Sequence, residues 1–398
     1  MKYIVQVGRE PALAVSEILT LANTYNKQLS MSWIHDSLVC FEGDDGCDFM
    51  TTDRLGGALK VIEPLEYVDD VKAAILEYLL QTDGKITFGI SSWVDDDALA
   101  PQHLSPAIKT VLRDHDRSAR FLLPKKKQLD AAAIIHSDIL KSGGEFHIIP
   151  EGNRVLLGRS TSVHDIDAWS KRDFEKPARD AKRGMLPPKL ARTMVNLSGI
   201  SSGTILDPFC GTGTISMEAA LLGFSGIASD ADPEAIEATK KNIDWLKTVI
   251  PATAVIPAKA GIHINILQSD ARDVARRIKK DVHAIVTEPF LGNPKKLTHE
   301  QREEHAQGIA DLYSDALKNW TKFLENGSRV VMVIPLYKTK KGLVAIPIHD
   351  KISKLGYEVI DPPIKTLSLD DQLSPAGNLL YGRDDQRVLR EIIILKKT

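Results

Sequence analysis

The chain has 398 residues and a mass of 43.9 kDa, enough for two or three domains with large hydrophobic cores. Hydrophobic residues make up 43% of the chain and charged residues 26%, which excludes a wholly disordered or fibrous protein. The formal net charge of −2 conceals an uneven distribution: residues 1–108 carry −10, residues 109–192 carry +7 and residues 193–398 carry +1. A basic middle segment fits an RNA or DNA contact, and it fits solvated helix faces equally well.

Cysteine content and hydropathy indicate the compartment. Cys40, Cys47 and Cys210 cannot make a paired disulfide framework, and the spacing of the first two does not match a zinc knuckle. The N-terminal segment MKYIVQVGRE lacks a long apolar signal core, and no window reaches the ~18 consecutive apolar residues of a membrane span. The histidines are scattered without metal-ligand spacing. We therefore predict a cytoplasmic protein with no bound metal.

The first half of the chain alternates short apolar strands with amphipathic helices and has no internal repeats. The predicted elements are a strand at 3–7, a helix at 11–21, a strand at 32–41, a helix at 71–80, a strand at 86–90, a helix at 104–112, a strand at 119–123, a helix at 129–140 and a strand at 146–149. This order predicts one or two α+β layers of ferredoxin-like type. The segment carries no catalytic motif.

Two basic clusters flank a small part of this region. The first is Lys125, Lys126 and Lys127, and the second, just before Gly184, consists of Lys171, Arg172, Lys176, Arg179, Lys182 and Arg183. The clusters either hold the phosphates of a folded RNA or form a solvated loop and linker. On the RNA interpretation the candidate ligands are Lys125, Lys126, Lys127, Arg172, Arg179, Lys182 and Arg183.

A strand at 203–206 opens the second half, and the glycine turn DPFCGTGT, residues 207–214, joins it to a helix at 215–222. A strand, a glycine turn and a helix form the first unit of a doubly wound nucleotide site. A dinucleotide fingerprint would need glycine where Ser216 stands, and the Gly-Lys-Ser/Thr ending of a P-loop is absent. The turn alone is weak evidence for a ligand, because it fits a purely structural connection between a strand and a helix nearly as well.

Acidic residues follow successive predicted strands. Asp207 ends the first strand, Asp230 ends a strand at 226–229, and Asp270 follows a strand at 262–267. Asp230 stands 17 residues after Gly213, a position suited to accept both ribose hydroxyls, and Asp270 is placed to accept the exocyclic amine of adenine. A single such acid is more often a helix cap, but an ordered trio predicts one ligand-binding edge of a parallel sheet.

The remaining strands complete a recognisable layout. They are predicted at 282–287, 329–334, 357–360 and 388–395, with a long helical stretch through residue 324. The fourth strand ends in Glu288-Pro289-Phe290-Leu291-Gly292. Seven strands with crossover helices predict an α/β, Rossmann-like class I methyltransferase domain.

The motifs DPFCGTGT, ASDADPEA and QSDARDV resemble the S-adenosylmethionine site of THUMP-type RNA methyltransferases, in particular the tRNA guanosine-10 N2-methyltransferase group. The resemblance extends upstream to KRDFEKPARDAKRGMLPPKLARTMVNLSG and downstream to LLYGRDDQRVLREIIIL, and RLGGALKVIEPL and LDAAAIIHSDIL are similar to its N-terminal and THUMP segments. It implies S-adenosylmethionine as cofactor, a methionine pocket at Asp207, Gly211 and Gly213, ribose binding at Asp230 and adenine binding at Asp270. The full candidate set is Asp207, Pro208, Cys210, Gly211, Thr212, Gly213, Asp230, Ala231, Asp270 and Ala271.

The chain departs from the family at the reaction site, where the family pattern is Asp-Pro-Pro-Tyr-Gly. A guanine N2 amine is a poor nucleophile because its lone pair is delocalised, so the site has to orient it. We predict that Glu288 and the Pro289 carbonyl accept the two amine hydrogens and that Phe290 stacks on the base. The alternative is a merely hydrogen-bonded carboxylate in a degenerate site.

The resemblance implies three parts: an α+β region with a THUMP-like RNA-binding domain at 1–165, a basic linker at 166–185 and the methyltransferase domain at 186–398. Residues 248–263, TVIPATAVIPAKAGIH, form a long predicted insertion. The expected function is tRNA guanine-N2 methylation, with RNA as partner, no membrane, and a monomer that an accessory protein could join. Two alternatives stay open: methylation of another exocyclic amine, in ribosomal guanine or in adenine of RNA or DNA, and a non-catalytic RNA-binding protein that keeps the fold.

Overall fold

A computed structural model of the chain describes residues 1–179, 185–249, 261–292, 297–364, 369–383 and 385–398. The chain divides into two compact units. The first unit comprises residues 1–9, 29–54 and 58–168, and the second comprises residues 10–28, 55–57 and 169–398. No helix in these described ranges is long and apolar enough to cross a bilayer, and no group of three or more acidic, histidine or cysteine side chains in them could hold a metal ion. The three cysteines are free and buried.

Helix α1 (Pro11–Thr24) corrects the predicted division at residue 165, because it belongs to the second unit although it lies near the N-terminus. Its buried Glu17 accepts hydrogen bonds from the backbone N–H groups of Gly56 and Gly57 at 2.8 and 2.9 Å and from the side chain of Asn196 at 2.6 Å. A buried carboxylate needs such partners, so these bonds hold segments 10–28 and 55–57 in the second unit.

The first unit contains an eight-stranded mixed sheet. Its strands are β1 (Lys2–Val7), β2 (Leu29–His35), β3 (Leu38–Gly43), β4 (Ala58–Val68), β5 (Ile86–Ser92), β6 (Ala119–Leu122), β7 (Gly143–Glu151) and β8 (Arg154–Val163). The helices of this part are α2 (Val71–Leu80), α3 (Pro101–Asp114), α4 (Ala131–Ser137), α5 (Ile139–Ser142) and α6 (Ile166–Ser170), the last of which crosses the unit boundary. The strand order is β2-β3-β1-β4-β8-β7-β5-β6, with β5 parallel to β6 and β7.

Apolar residues of α2 and α3 pack against β5 and β7 and bury Ile75, Ile108, Phe88 and Phe146 completely. The predicted α+β composition of this region is confirmed. Two predicted elements are divided in the structure: the strand predicted at 32–41 is the hairpin β2–β3, which turns at Asp36, and the helix predicted at 129–140 is broken at Asp138 into α4 and α5. Strands β4 and β8 were not predicted.

The second unit is a doubly wound α/β domain. Its further helices are α7 (Pro188–Leu197), α8 (Thr214–Leu221), α9 (Pro233–Val249) and α10 (His299–Trp320). Its strands are β9 (Thr204–Asp207), β10 (Ser225–Asp230), β11 (Ile264–Gln268), β12 (Val282–Thr287), β13 (Leu324–Thr339), β14 (Gly342–Val344), β15 (Tyr357–Val359), β16 (Leu379–Tyr381) and β17 (Val388–Lys397).

The principal strands of this sheet run in the order β11-β10-β9-β12-β13-β17-β15, and the short strands β14 and β16 pair with β13 and β17. The first five are parallel, while β17 is antiparallel to both of its neighbours. The predicted Rossmann-like class I methyltransferase fold is confirmed, with β14 and β16 as additions. The strand order reverses between β9 and β12, and ligands of such sheets bind at the carboxyl ends of the strands beside this reversal.

The predicted linker and the predicted insertion both include residues that the structure does not describe. The predicted linker at 166–185 is structured where described: α6 is followed by a π-helical turn at Lys171–Glu175. The insertion predicted at 248–263 lies largely outside the described residues, since α9 ends at Val249 and β11 begins at Ile264.

Candidate cofactor and reaction site

The predicted acidic residues meet at one edge of the sheet. Asp207 is the last residue of β9 and lies in register with Ala228, two residues before Asp230 ends β10. Asp230 lies in register with Gln268, the last residue of β11, and Asp270 follows two residues later. The carboxyl ends of these neighbouring parallel strands therefore bring the trio together as predicted.

The glycine loop between β9 and α8 is a tight turn. The Gly213 N–H donates to the Cys210 carbonyl at 2.7 Å, and the Cys210 N–H donates to the Ser229 carbonyl of β10 at 2.9 Å. Gly211 and Gly213 adopt φ values of 52° and 81°, a left-handed region that favours glycine. Helix α8 then begins at Thr214, so its first N–H groups face the loop without intrahelical partners.

Asp230 is fixed by the loop. Its Oδ2 accepts the Gly211 N–H and its Oδ1 accepts the Asp232 N–H, each at 3.0 Å. Each oxygen keeps acceptor capacity, which is what two ribose hydroxyls would need. A Cβ placed on Gly211 would meet no described heavy atom within 4 Å, so there is open space beside this contact. The site thus fits the ribose of a nucleoside cofactor.

Asp207 is a buried carboxyl with its own partners. Its Oδ1 accepts the Thr287 hydroxyl at 2.8 Å and the Phe209 N–H at 3.3 Å. Burial raises the pKa of Asp207 to about 7; the carboxylates of Asp230 and Glu288 add to the rise, and the two hydrogen bonds oppose it. Such a carboxylate is stabilised by a cation, and S-adenosylmethionine carries both an ammonium and a sulfonium.

Two buried polar residues of α9 support the loop, and the sequence analysis missed them. The Thr239 hydroxyl donates to the Gly211 carbonyl at 2.9 Å. The Asn242 amide donates to the Thr212 carbonyl at 2.8 Å and to the Ala178 carbonyl at 2.9 Å. Both side chains have no solvent exposure. The detectable signal is a pair of polar residues three positions apart on the apolar face of a helix.

We predict that Asn242→Ala weakens both the fold and cofactor binding. The change leaves the Thr212 and Ala178 backbone groups without partners, which costs about 1–3 kcal/mol each when such groups stay dry. We expect a lower Tm and a several-fold weaker affinity for S-adenosylhomocysteine, measured by thermal denaturation and calorimetry. The control is Lys241→Ala, an exposed change on the same helix. Unchanged Tm and affinity in Asn242→Ala would contradict this role.

Asp270, the residue predicted to bind adenine, already accepts hydrogen bonds from Arg272. The Oδ1 of Asp270 accepts the backbone N–H and Nε of Arg272 at 2.8 and 3.0 Å, and its Oδ2 accepts Nη2 at 2.7 Å. These bonds lower the pKa of Asp270. The neighbouring carbonyl of Ala271 accepts the Trp320 indole N–H at 3.0 Å, and the Ala231 carbonyl accepts Gln268 Nε2 at 3.1 Å. Only Oδ2 of Asp270 retains ready capacity for an amine, so its adenine role stays a prediction.

The other predicted loop residues contribute shape rather than free side-chain donors. Pro208 and Cys210 are buried, and the Cys210 thiol lies 3.4 Å from the Thr239 hydroxyl. Burial raises the pKa of the Cys210 thiol well above its ordinary value. Thr212 presents its carbonyl to Asn242. These residues hold the turn that Gly211 and Gly213 make possible.

At the reaction end Glu288 has a partner that the sequence did not reveal. Its Oε1 accepts the Arg390 Nε at 2.6 Å, and the two side chains are 14% and 12% exposed. Burial raises the pKa of Glu288, and the Arg390 guanidinium opposes that rise. Arg390 lies on β17, far along the chain from Glu288. Within the described part of the chain, Oε2 accepts no hydrogen bond and is available to a substrate amine.

The residues after Glu288 are held by two buried tyrosines. Tyr313 donates its hydroxyl to the Phe290 carbonyl and Tyr337 donates to the Leu291 carbonyl, both at 2.8 Å. Pro289 is buried, whereas Phe290 is 58% exposed. A fixed backbone with an exposed aromatic ring is suited to stacking on a planar base. Neither tyrosine was singled out by the sequence analysis.

The structure places the predicted basic residues in different environments. Lys125, Lys126 and Lys127 are exposed in the first unit, and Lys127 pairs with Asp95 at 2.7 Å. In the second unit, Arg172 pairs with Glu218 at 2.7 Å and lies over the Trp169 ring at 4.2 Å, Lys176 is buried, and Arg179 is exposed 5.5 Å from the Phe174 ring. Lys182 and Arg183 lie outside the described residues. The described part of the second cluster is therefore not one exposed patch.

Comparisons with known proteins show what the part of the chain that contains this site is similar to. Residues 176–345 match the family UPF0020, described as an RMKL-like methyltransferase domain. The chain is 35% identical over 198 residues to a tRNA (guanine(10)-N2)-dimethyltransferase of Methanothermobacter thermautotrophicus, covering 48% of this chain and 51% of the relative. It is 47% identical over 148 residues to the protein of that name from Methanocaldococcus jannaschii, covering 35% and 39%. It is 29% identical over 197 residues to a tRNA (guanine(6)-N2)-methyltransferase of Thermus thermophilus, covering 49% and 51%.

The chain therefore spans about half the length, or less, of the curated relatives described above. The predicted resemblance to the guanosine-10 N2-methyltransferase group is confirmed by these matches, and the methyltransferase family confirms S-adenosylmethionine as the expected cofactor. None of the matches tests the THUMP-like assignment or the individual site residues.

Proposed function

We propose that this chain, whose residues 176–345 match the RMKL-like methyltransferase domain, transfers a methyl group from S-adenosylmethionine to the N2 amine of a guanine in tRNA. The observation that carries the proposal is the edge at which Asp207, Asp230 and the glycine loop meet Glu288 and the exposed Phe290. Relatives named for guanine-N2 transfer in tRNA support the same chemistry.

Position 10 of the tRNA is the target we propose, because the first relatives carry that name, with either one or two methyl groups transferred. The relative named for guanine 6 supports guanine-N2 chemistry without supporting that position. We further propose a monomer that works in the cytoplasm, where an accessory protein could join it.

In this proposal each end of the cofactor has a partner in the chain. Asp230 accepts the ribose hydroxyls, Asp270 accepts the adenine amine and Asp207 faces the positive charge of the methionine end. When bound, S-adenosylmethionine supplies a methyl group activated by its sulfonium. Glycine at 211 and 213 lets the backbone approach the ligand closely.

The chain orients the guanine amine for attack. Glu288 Oε2 and the Pro289 carbonyl accept its two hydrogens, while the Phe290 ring stacks on the base. Arg390 holds the Glu288 carboxylate in place through Oε1. The lone pair of N2 would form the bond to the methyl carbon as the bond between that carbon and the sulfonium breaks, which leaves S-adenosylhomocysteine, and the proton that the alkylated amine loses would pass to Glu288 or to water. Orientation, rather than a strong general base, supplies most of the effect.

The first unit would supply electrostatic contacts to tRNA. We predict that reversing the charge of Lys125, Lys126 and Lys127 together weakens tRNA binding and flattens its salt dependence, because each lost phosphate contact reduces the slope of log K against log salt by about 0.9. Titrations from low to high salt check this. The control is the pair Lys72→Glu and Lys85→Glu, exposed lysines of the same unit. An unchanged slope in the triple variant would show that the cluster is only a solvated loop.

The proposed substrate is tested by offering labelled S-adenosylmethionine together with unmodified tRNA, ribosomal RNA or DNA in separate reactions. We expect label on tRNA. Label only on ribosomal RNA or DNA would favour a methyltransferase with another target. Cofactor binding with no label on any nucleic acid would favour a non-catalytic RNA-binding protein.

A further inference from the structure

Lys176 is a buried cation beside the glycine loop that the proposed mechanism does not use. Lys176 is only 2% exposed, although lysine is rarely buried without an ionic partner. Its Nζ donates to the Thr214 hydroxyl at 2.8 Å. Thr214 is the first residue of α8 and follows Gly213 directly. The ammonium therefore lies against the turn at which the helix begins.

No carboxylate neutralises this ammonium at close range. Among the described residues, no acidic oxygen lies within 4 Å of Lys176 Nζ. The buried carboxylate of Glu218, on the same helix, has Arg172 Nε at 2.7 Å from Oε1 and Arg192 Nη2 at 2.6 Å from Oε2. With both of its oxygens held by guanidinium groups, Glu218 is an unsuitable ion partner for Lys176.

Burial lowers the pKa of Lys176 to about 8, with Asp173 and Glu218 acting in the opposite direction and Arg179 adding to the decrease. The protein therefore holds a desolvated ammonium that a nearby anion would stabilise. Lys176 has two further N–H donors beyond the one that reaches Thr214.

The amino terminus of α8 adds to this positive environment. Its first intrahelical bond runs from the Met217 N–H to the Gly213 carbonyl at 2.9 Å, so the preceding N–H groups have no intrahelical acceptor. At the start of the same loop lies Asp207, a buried carboxyl that a cation would stabilise. A group with one ammonium and one carboxylate, that is, an α-amino acid, complements both ends of the loop.

We propose that Lys176 binds the α-carboxylate of the methyl donor, while Asp207 faces the α-ammonium of the same amino-acid moiety. This inference rests on the proposed cofactor and deepens it. Lys176 is then a residue that selects donors carrying a carboxylate, and it does not take part in binding RNA, the role suggested by its place in the basic cluster.

The test compares three ligands by calorimetry: S-adenosylhomocysteine, decarboxylated S-adenosylmethionine and 5′-methylthioadenosine. Only the first carries the carboxylate. We expect Lys176→Met to lower the affinity for S-adenosylhomocysteine about 10- to 100-fold, the range for losing a charge-assisted hydrogen bond. The affinities for the other two ligands should change less than about threefold. Lys176→Arg should restore part of the affinity for S-adenosylhomocysteine. Lys241→Met, an exposed lysine on α9, is the matched control.

Three results would overturn the assignment of Lys176, and only one of them would also overturn the proposed cofactor. An equal loss for all three ligands in Lys176→Met would mean that Lys176 only positions the loop. An unchanged affinity for S-adenosylhomocysteine would mean that the carboxylate binds elsewhere, and the proposed function would stand in both cases. No binding of S-adenosylhomocysteine by the unaltered chain would remove the proposed cofactor and this assignment together. Thermal denaturation of each variant verifies that it is folded.

Discussion

Glu288→Gln lowers kcat for methyl transfer to tRNA at least about 100-fold and leaves the affinity for S-adenosylhomocysteine within about threefold. The amide keeps the size of the side chain but replaces one carboxylate oxygen by a donor, so it cannot both satisfy Arg390 and accept the guanine amine. Removing one preorganised group of this kind costs about 10²–10³ in rate. Single-turnover transfer and calorimetry measure the two quantities separately.

Because Glu288 is paired with Arg390, further variants are needed to separate its role in catalysis from its role in stability. Glu288→Ala should also abolish transfer, but it leaves a mostly buried guanidinium without its carboxylate and therefore destabilises the fold. The double change Glu288→Gln with Arg390→Met removes that complication, and Glu325→Gln, an exposed glutamate of the same unit, is the control. Transfer by Glu288→Gln at a rate near that of the unaltered chain would show that Glu288 is only a structural carboxylate.

Asp207→Asn lowers the affinity for S-adenosylhomocysteine at least about 100-fold and removes the pH dependence of that affinity. A buried cation that loses its carboxylate partner is penalised by several kcal/mol. In the unaltered chain the carboxyl is protonated below its pKa of about 7, so the ligand must displace that proton. We therefore expect affinity to fall about tenfold for each pH unit below 7. Calorimetry between pH 5.5 and 8.5 measures this; affinity that is constant with pH would contradict the role of Asp207.

The same pKa has an opposite consequence for the stability of the ligand-free protein. The folded pKa of Asp207, about 7, exceeds the ordinary value of 3.8, so protonation favours the folded state. This contribution to the free energy of unfolding is fully present below pH 3.8 and is lost as the pH rises to 7. Asp207→Asn resembles the protonated form at every pH. Its stability relative to the unaltered chain should therefore increase between pH 4 and pH 7.

Much of the second unit was predictable because local signals agreed with one another. Each of the seven predicted strands has a counterpart in the observed sheet, since apolar runs were separated by helical segments and by a glycine turn. Asp207 and Asp230 were identifiable because carboxylates at successive parallel strand ends share an edge. Neither conclusion required knowledge of long-range contacts.

The supporting residues were not predictable because they depend on pairing across the chain. Arg390 lies on β17, which the sheet order places beside β13, and only that antiparallel pairing brings it to Glu288. Thr239 and Asn242 were hidden in an apolar helix face, where a polar residue gives no indication of its partner. The membership of α1 in the second unit likewise depends on Glu17 and its partners.

Turns without glycine explain why two elements of the first unit were predicted as single but are divided in the structure. Asp36 and Asp138 adopt positive φ angles of 51° and 53°, which end β2 and α4. Aspartate tolerates this conformation because its side chain can hydrogen-bond locally, but its presence alone is a weak turn signal. The apolar run at 32–41 consequently resembled a single strand.

The most direct test of the account identifies the methylated nucleoside. Unmodified tRNA is incubated with the protein and labelled S-adenosylmethionine, digested to nucleosides and separated by chromatography with mass detection. The account predicts label in N2-methylguanosine or N2,N2-dimethylguanosine, and its loss with Glu288→Gln. Label in a methylated adenosine, or no label from a protein that binds the cofactor, would contradict it.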